Sequence, residues 1–143
     1  MTSVPDCIVA LIFYALWAMF LVLSIGAARV HQVMTGKTGV TGFTSGVPHG
    51  TDTYWRLNRA HMNTIENLPI FATVVLAGVA AEAVDPTFNM LAIIVVCARA
   101  VQSIIHILSG AAGAINLRFA AFVVQIACQM WMAWLILAAA GVF

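Results

Sequence analysis

Polar side chains recur along one short segment of an otherwise apolar chain. The segment Arg56–Pro69 reads RLNRAHMNTIENLP. On a helix with about 3.6 residues per turn, Arg59, Asn63 and Glu66 fall at i, i+4 and i+7 and share one face. A cation, an amide and a carboxylate in one stripe are groups that can hold a polar, charged ligand.

Further ionisable residues lie in the later apolar runs at a similar predicted depth. Counting about 1.5 Å per residue from one membrane face brings Arg99 level with Glu66, and His106 level with His61. Arg118 lies at the start of the last run. We therefore expect a buried Glu66–Arg99 ion pair and a site with excess positive charge, suited to an anionic ligand. The predicted site has seven residues, namely Arg59, His61, Asn63, Glu66, Arg99, His106 and Arg118.

The composition indicates which elements must position these residues. Hydrophobic residues make up 63% of the chain and charged residues 8%, which is not typical of a water-soluble domain. Four apolar runs each approach or exceed the roughly 20 residues that cross a bilayer, at about 7–30, 54–82, 87–110 and 116–142. Because two of the connections are short, we predict an all-α, multi-pass integral membrane protein: a single-domain, up-and-down four-helix bundle spanning residues 1–143.

The distribution of basic residues predicts the orientation. Four lysines and arginines flank or lie in the long first connection, whereas the second carries only Glu82 and Asp85. The positive-inside rule then places the first connection, and the site beside it, on the cytoplasmic side. The net charge of +1 is too small and dispersed to indicate a nucleic-acid partner.

Simpler interpretations of the polar residues stay open. Glu66 and Arg99 could only fix the register of two helices, and the outer arginines could be interface anchors that snorkel. His61 and His106 could ligate haem or a metal, but supporting ligands at suitable spacing are missing, so we expect no metal. Two glutamines of the last run, Gln125 and Gln129, lie at i and i+4 and could line the site or bond between helices.

The segment RLNRAHMNTIENLPIF resembles the signature of the membrane-associated proteins in eicosanoid and glutathione metabolism. The pattern is Arg, Ala, His or Gln, one variable residue, Asn, two variable residues, Glu and a nearby Pro. It is matched by Arg59, Ala60, His61, Asn63, Glu66 and Pro69. The resemblance implies a homotrimer of four-helix subunits, a bacterial inner membrane as host, and glutathione bound between subunits in the cytoplasmic half of the membrane.

The same resemblance implies roles for individual residues. Arg59, Asn63, Glu66 and Arg99 match positions that contact glutathione, with His61 and His106 beside them in the predicted binding set. Arg118 resembles the arginine that stabilises the glutathione thiolate, which is the nucleophilic form of a thiol. The function implied is that of a membrane glutathione transferase or peroxidase, with glutathione as co-substrate and a hydrophobic electrophile or lipid peroxide entering from membrane lipid.

Departures from the pattern support an alternative. Gln102 and His106 stand where several family members have tyrosines that hold glutathione, and Phe119 stands where the prostaglandin synthase branch has a serine. Binding could therefore be altered, and prostaglandin isomerisation is not supported. The alternative function is a non-enzymatic accessory or structural membrane subunit that keeps the fold.

Overall fold

The computed structural model describes residues 4–44 and 46–142, and within them it consists of four long α-helices without strands. All four are long and apolar enough to cross a membrane. The prediction of an all-α protein with four membrane-spanning helices is confirmed. The helices are α1 (Asp6–Met34), α2 (Asp52–Ala80), α3 (Pro86–Leu108) and α4 (Ala112–Ala139).

Local sequence explains where α2 and α3 begin. The Thr51 hydroxyl accepts a hydrogen bond from the Tyr54 backbone N–H at 3.2 Å. The Asp85 carboxylate accepts one from the Phe88 N–H at 2.7 Å, and Pro86 follows it as the first residue of α3. Both caps satisfy backbone donors that a helix start would leave free, and proline has the φ angle that this first position needs.

Two helix ends differ from the predicted spans by about one turn. The first helix continues to Met34 rather than about residue 30, because basic and polar residues at a membrane face do not interrupt a helix. Gly36 ends it with a φ of 67°, and the Lys37 N–H then donates to the Gln32 carbonyl at 3.0 Å. The last helix begins at Ala112, about one turn earlier than expected.

The packing order leaves one side of the bundle less filled than the other. Helices α2 and α3 pack against each other, α1 packs against both, and α4 packs mainly on α3 and more sparsely on α2. Within the described residues α1 and α4 do not pack together. The short connections 81–85 and 109–111 make successive helices antiparallel. The space between α2 and α4 is therefore the natural position for a cleft.

The apolar core occupies the half of the bundle nearest the α2–α3 connection. There the Phe88 ring lies directly over Gly78, where any side chain would collide with it. The fully buried side chains of this core include Tyr14, Phe71, Val75, Phe88, Val95 and Met132. The opposite half of the bundle, near the long first connection, is where the polar residues lie.

The long first connection packs against the helices that it joins. The Arg29 Nε donates to the Tyr54 hydroxyl at 2.8 Å, and the Arg29 guanidinium carbon lies 5.4 Å from the centre of the Phe43 ring. The ring of His49 lies 5.3 Å from that of Tyr54. These aromatic and cationic contacts hold the connection close to the ends of α1 and α2.

Candidate functional site

A cleft of about 540 Å³ opens between α2, α3 and α4. It lies in the sparsely packed region between α2 and α4, in the half of the bundle away from the apolar core. Its volume falls within the range of small-molecule sites. Five of the seven predicted site residues line it, namely Asn63, Glu66, Arg99, His106 and Arg118.

The other two predicted residues do not line this cleft. Arg59 is exposed and lies about one turn before Asn63, so it continues the polar stripe beyond the mouth of the cleft. His61 is half-buried and lies two residues from Asn63, which is about 200° around the helix. It therefore faces away from the cleft. Residues of one sequence motif therefore lie on different faces of α2.

Arg99 is the most unusual residue of the cleft. Its side chain is only 2% exposed, yet its Nε and Nη2 atoms have no hydrogen-bond partner among the described residues. The guanidinium carbon lies 5.9 Å from the centre of the Tyr14 ring, close enough for a cation–π contact. A buried cation without hydrogen-bond partners is costly, so this group is suited to an anion that enters the cleft.

The predicted buried ion pair between Glu66 and Arg99 is wrong for this chain. Glu66 is exposed, and the structure has no ion pair or hydrogen bond between these two described residues. The next residue, Asn67, occupies the inward position and is 5% exposed. Counting residues brought Glu66 to the level of Arg99, with which it lines the cleft, but left out its angle about the helix axis, which leaves it exposed.

Four buried amide side chains join α4 to its neighbours. Gln129 Nε2 donates to Asn67 Oδ1 at 3.4 Å, and Gln125 Nε2 donates to Gln102 Oε1 at 3.1 Å. Gln102 Nε2 in turn donates to the backbone carbonyl of Arg118 at 3.2 Å. The two glutamines of the last helix therefore bond between helices, the second of the two alternatives above. Sequence reasoning missed the contacts of Asn67 and Gln102, although a polar residue within a membrane span is itself a signal.

Positive charge dominates the polar part of the cleft. Besides Arg99 and Arg118 in its wall, Arg59 and Arg56 lie close enough for their charges to act on His106. Among the described residues that line the cleft, Glu66 is the one carboxylate. Such a balance favours a ligand that carries more negative than positive charge.

Arg56 has a separate structural position. Its Nε donates to the Ile107 carbonyl at 3.1 Å and its Nη2 donates to the Thr53 hydroxyl at 3.1 Å. Ile107 lies in the last turn of α3, where carbonyls lack intrahelical partners and where a positive charge is favourable. We therefore assign Arg56 to the end of α3 rather than to the cleft.

The remaining wall of the cleft is apolar. It is formed by Ile70 of α2 and by Phe119, Phe122 and Ile126 of α4. The aromatic residues Phe119 and Phe122 are both exposed on the outer surface of this chain. The cleft can therefore accept a charged group at its arginines and an apolar group along α4.

A protein-family model matches nearly the whole chain and shows the family to which the chain belongs. The model is that of the MAPEG family, and it covers residues 7–138. The chain belongs to the MAPEG family. A search of curated proteins found none that matches it. With four helices able to span a membrane, this MAPEG protein is a multi-pass integral membrane protein of a family related to glutathione and eicosanoids.

Two cleft positions of this MAPEG protein carry residues other than the tyrosines that the sequence resemblance led us to expect. Gln102 is 8% exposed, and both ends of its amide are already used by Gln125 and the Arg118 carbonyl. His106 lines the cleft on the next turn of α3 and faces it as an imidazole. Within residues 4–44 and 46–142, no group of three or more histidine, cysteine, aspartate or glutamate side chains is arranged to hold a metal.

Proposed function

We propose that this MAPEG protein binds glutathione in the cleft between α2, α3 and α4 and activates its thiol against hydrophobic electrophiles or lipid peroxides. The observation that carries the proposal is Arg99, which is 2% exposed and has two guanidinium nitrogens without a hydrogen-bond partner in residues 4–44 and 46–142. Its position in the wall of the cleft matches the need of a peptide that carries carboxylates.

The charges of the cleft suit those of glutathione, which has two carboxylates, one ammonium group and one thiol. A carboxylate bound to Arg99 would replace hydrogen bonds that the guanidinium lacks, and such charge-assisted bonds are the strong ones. Glu66, at the edge of the cleft, would pair with the ammonium group. We further assign the outer parts of the tripeptide to Arg59, Asn63 and His106. His61, which faces away from the cleft, would take part only through a contact with a neighbouring subunit.

Arg118 is the proposed catalytic residue. It lies on α4 between the polar and apolar parts of the cleft, next in sequence to Phe119. A free thiol has a pKa of about 8.5, and a guanidinium beside it favours the thiolate. The thiol proton would leave to solvent, and the thiolate sulfur would form a bond to the electrophilic carbon of the acceptor as a leaving group departs or a double bond opens. With a lipid peroxide, the sulfur would attack one peroxide oxygen and the O–O bond would break, so that the lipid alcohol leaves after it takes up a proton. A second glutathione would then convert the sulfenic acid to glutathione disulfide and water.

The acceptor is proposed to approach along the apolar wall of α4. Phe119, Phe122 and Ile126 line the cleft, and the first two are also exposed on the surface of the chain, which we propose to face membrane lipid. A lipid-soluble molecule can therefore reach the thiolate from the bilayer without crossing the polar part of the site.

We propose that three copies of the chain form the working unit. Glu66 lies near the middle of the 29-residue helix α2 and is exposed in the single chain, as is Arg59. A charged side chain facing lipid near the bilayer centre costs about 2–3 kcal/mol or more. A neighbouring subunit would cover this face, and family membership favours the number three. The basic residues near the first connection favour the cytoplasmic side for the site.

Glutathione binding in detergent tests the proposal directly. Purified protein should bind glutathione in calorimetry, and an ultraviolet difference spectrum should show bound thiolate at a pH where free glutathione is mostly thiol. Ophthalmic acid, the same tripeptide with a methyl group in place of the thiol, is the matched ligand control and should bind without the thiolate signal. Binding without thiolate would refute the transferase activity, and no binding of either tripeptide would favour the accessory-subunit alternative, in which Gln102 and His106 mark a lost site.

A further inference from the structure

We infer that Gln102 is a positioning residue for Arg118, acting through the backbone of α4; the inference rests on the proposed function of the cleft. Gln102 Nε2 donates to the Arg118 carbonyl at 3.2 Å across the α3–α4 interface. The catalytic guanidinium and the tethered carbonyl belong to the same residue. This hydrogen bond therefore fixes the position of Arg118 along the cleft relative to α3.

The start of α4 has no buried side chain and no side-chain cap of its own among the described residues, so a directional bond from α3 matters there. Its N-cap residue, Ala111, makes no side-chain capping bond, and residues 111–117 are small or exposed. The first α4 side chains to be fully buried come later, beginning with Gln125. Between the connection and that point, the bond to the Arg118 carbonyl is a directional link from α3 to α4.

Gln125 fixes Gln102 in turn. Its Nε2 donates both to Gln102 Oε1 at 3.1 Å and to the Ala121 carbonyl at 2.8 Å. Because its oxygen is occupied by Gln125, the Gln102 amide has its NH₂ group directed to the Arg118 carbonyl. Gln102 and Gln125 thereby join α3 to two successive turns of α4. A tyrosine at position 102 would have one hydroxyl and could not make this pair of bonds with the same geometry.

This arrangement also gives the departure from the expected tyrosine a function. At 8% exposure and with both ends engaged, Gln102 has little capacity left for the ligand. It contributes to the reaction by holding the thiolate-stabilising residue in place. Substitution should therefore change the thiol pKa of bound glutathione more than the affinity for glutathione.

The test compares Gln102→Met, which keeps the size and removes the amide, with wild type and with Ser103→Ala. Ser103 is the next residue on α3 and is also buried, and its hydroxyl lies 3.4 Å from the hydroxyl of Thr64 on α2. In Gln102→Met, the thiol pKa of bound glutathione should rise by about half a unit, a roughly threefold loss of thiolate below that pKa, with affinity changed less than about twofold. Ser103→Ala should lower thermal stability and leave the thiol pKa unchanged. Gln125→Leu, a second variant, should move the pKa in the same direction by less.

Backbone hydrogen exchange gives a measurement that does not depend on glutathione. In ligand-free Gln102→Met, amides of the first turns of α4, including Phe122 whose N–H faces the Arg118 carbonyl, should exchange faster than in Ser103→Ala. If wild type fails to bind glutathione, the proposed function fails and exchange alone decides the tether. Wild-type exchange and an unchanged thiol pKa in Gln102→Met would overturn the inference. A large loss of affinity with the pKa unchanged would also overturn it, because it would make Gln102 a direct ligand contact.

Discussion

Replacing Arg99 by leucine should stabilise the ligand-free protein and weaken glutathione binding. Arg99 is 2% exposed and two of its nitrogens have no hydrogen-bond partner in the part of the chain that the structure describes, so the protein without ligand carries most of the cost of a buried, unpaired charge. Leucine removes that cost and keeps an apolar side chain beside Tyr14. The substitution thus raises the stability of the ligand-free protein and lowers the affinity for glutathione. An ordinary packing residue would lower stability when substituted, so this combination distinguishes a binding residue from it.

The expected size follows from the contacts of Arg99. Its loss removes a cation–π contact with Tyr14, worth about 0.5–2 kcal/mol, whereas an unpaired buried charge costs several kcal/mol. The net gain for Arg99→Leu without glutathione should be about 1–2 kcal/mol, or a rise of several degrees in Tm. With glutathione, the variant loses charge-assisted bonds worth about 1.5–3 kcal/mol, which is a roughly 10- to 150-fold rise in Kd.

Thermal unfolding in detergent with and without glutathione measures both effects. Arg56→Leu is the matched control, because Arg56 has protein partners at Ile107 and Thr53. It should lower Tm by the loss of those bonds and keep the stabilisation by glutathione. Arg99→Lys keeps the charge without the planar fork and should bind with intermediate affinity. A fall in Tm for Arg99→Leu without ligand would refute the reasoning, because it would mean that the guanidinium is paired in the assembled protein.

Three shorter predictions concern other parts of the molecule. Arg118→Leu should raise the thiol pKa of bound glutathione by about a unit or more, which is equivalent to about 1.4 kcal/mol. The acidic limb of the pH–rate profile should then move to higher pH. An unchanged profile would exclude Arg118 from the chemistry. Native mass measurement in mild detergent should give three copies of the chain, and a stable, folded monomer that binds glutathione would contradict this. Gly78→Ala should cost about 1–3 kcal/mol in thermal unfolding, since a Cβ there would overlap the Phe88 ring, whereas Gly113→Ala, with open space around it, should not.

The fold was predictable because its determinants are local in sequence. Length and apolarity of each run predict a spanning helix, and short connections require antiparallel neighbours. The cap residues Thr51 and Asp85 lie next to the helix starts that they define. The helix ends were predicted less well, because α1 continues past Arg29 to a left-handed glycine at Gly36. Hydropathy detects the membrane and does not detect where a helix stops.

The sequence predicted which polar residues lie at one level of the bundle, but only partly the direction in which each side chain points. Counting residues along antiparallel helices brought five predicted residues into one cleft, from three helices that are distant in sequence. The same counting could not separate Glu66 from Asn67, or His61 from Asn63, because adjacent positions on a helix differ by about 100° in direction. The packing against α1, α3 and α4 fixes the rotation of α2, and that packing depends on residues throughout the bundle.

The polar residues of this bundle divide into those that are bonded within the protein and those that are left free. Gln102, Gln125, Gln129 and Arg56 have their partners on neighbouring helices, and such bonds are worth about 0.6–1.7 kcal/mol each in membrane bundles. Arg99 has none on its Nε and Nη2 atoms among the described residues. Sequence cannot make this division, since every one of these residues is a polar side chain in an apolar run. On the proposed function, the first group is a scaffold that holds α4 in place, and Arg99 is the cation that binds the ligand.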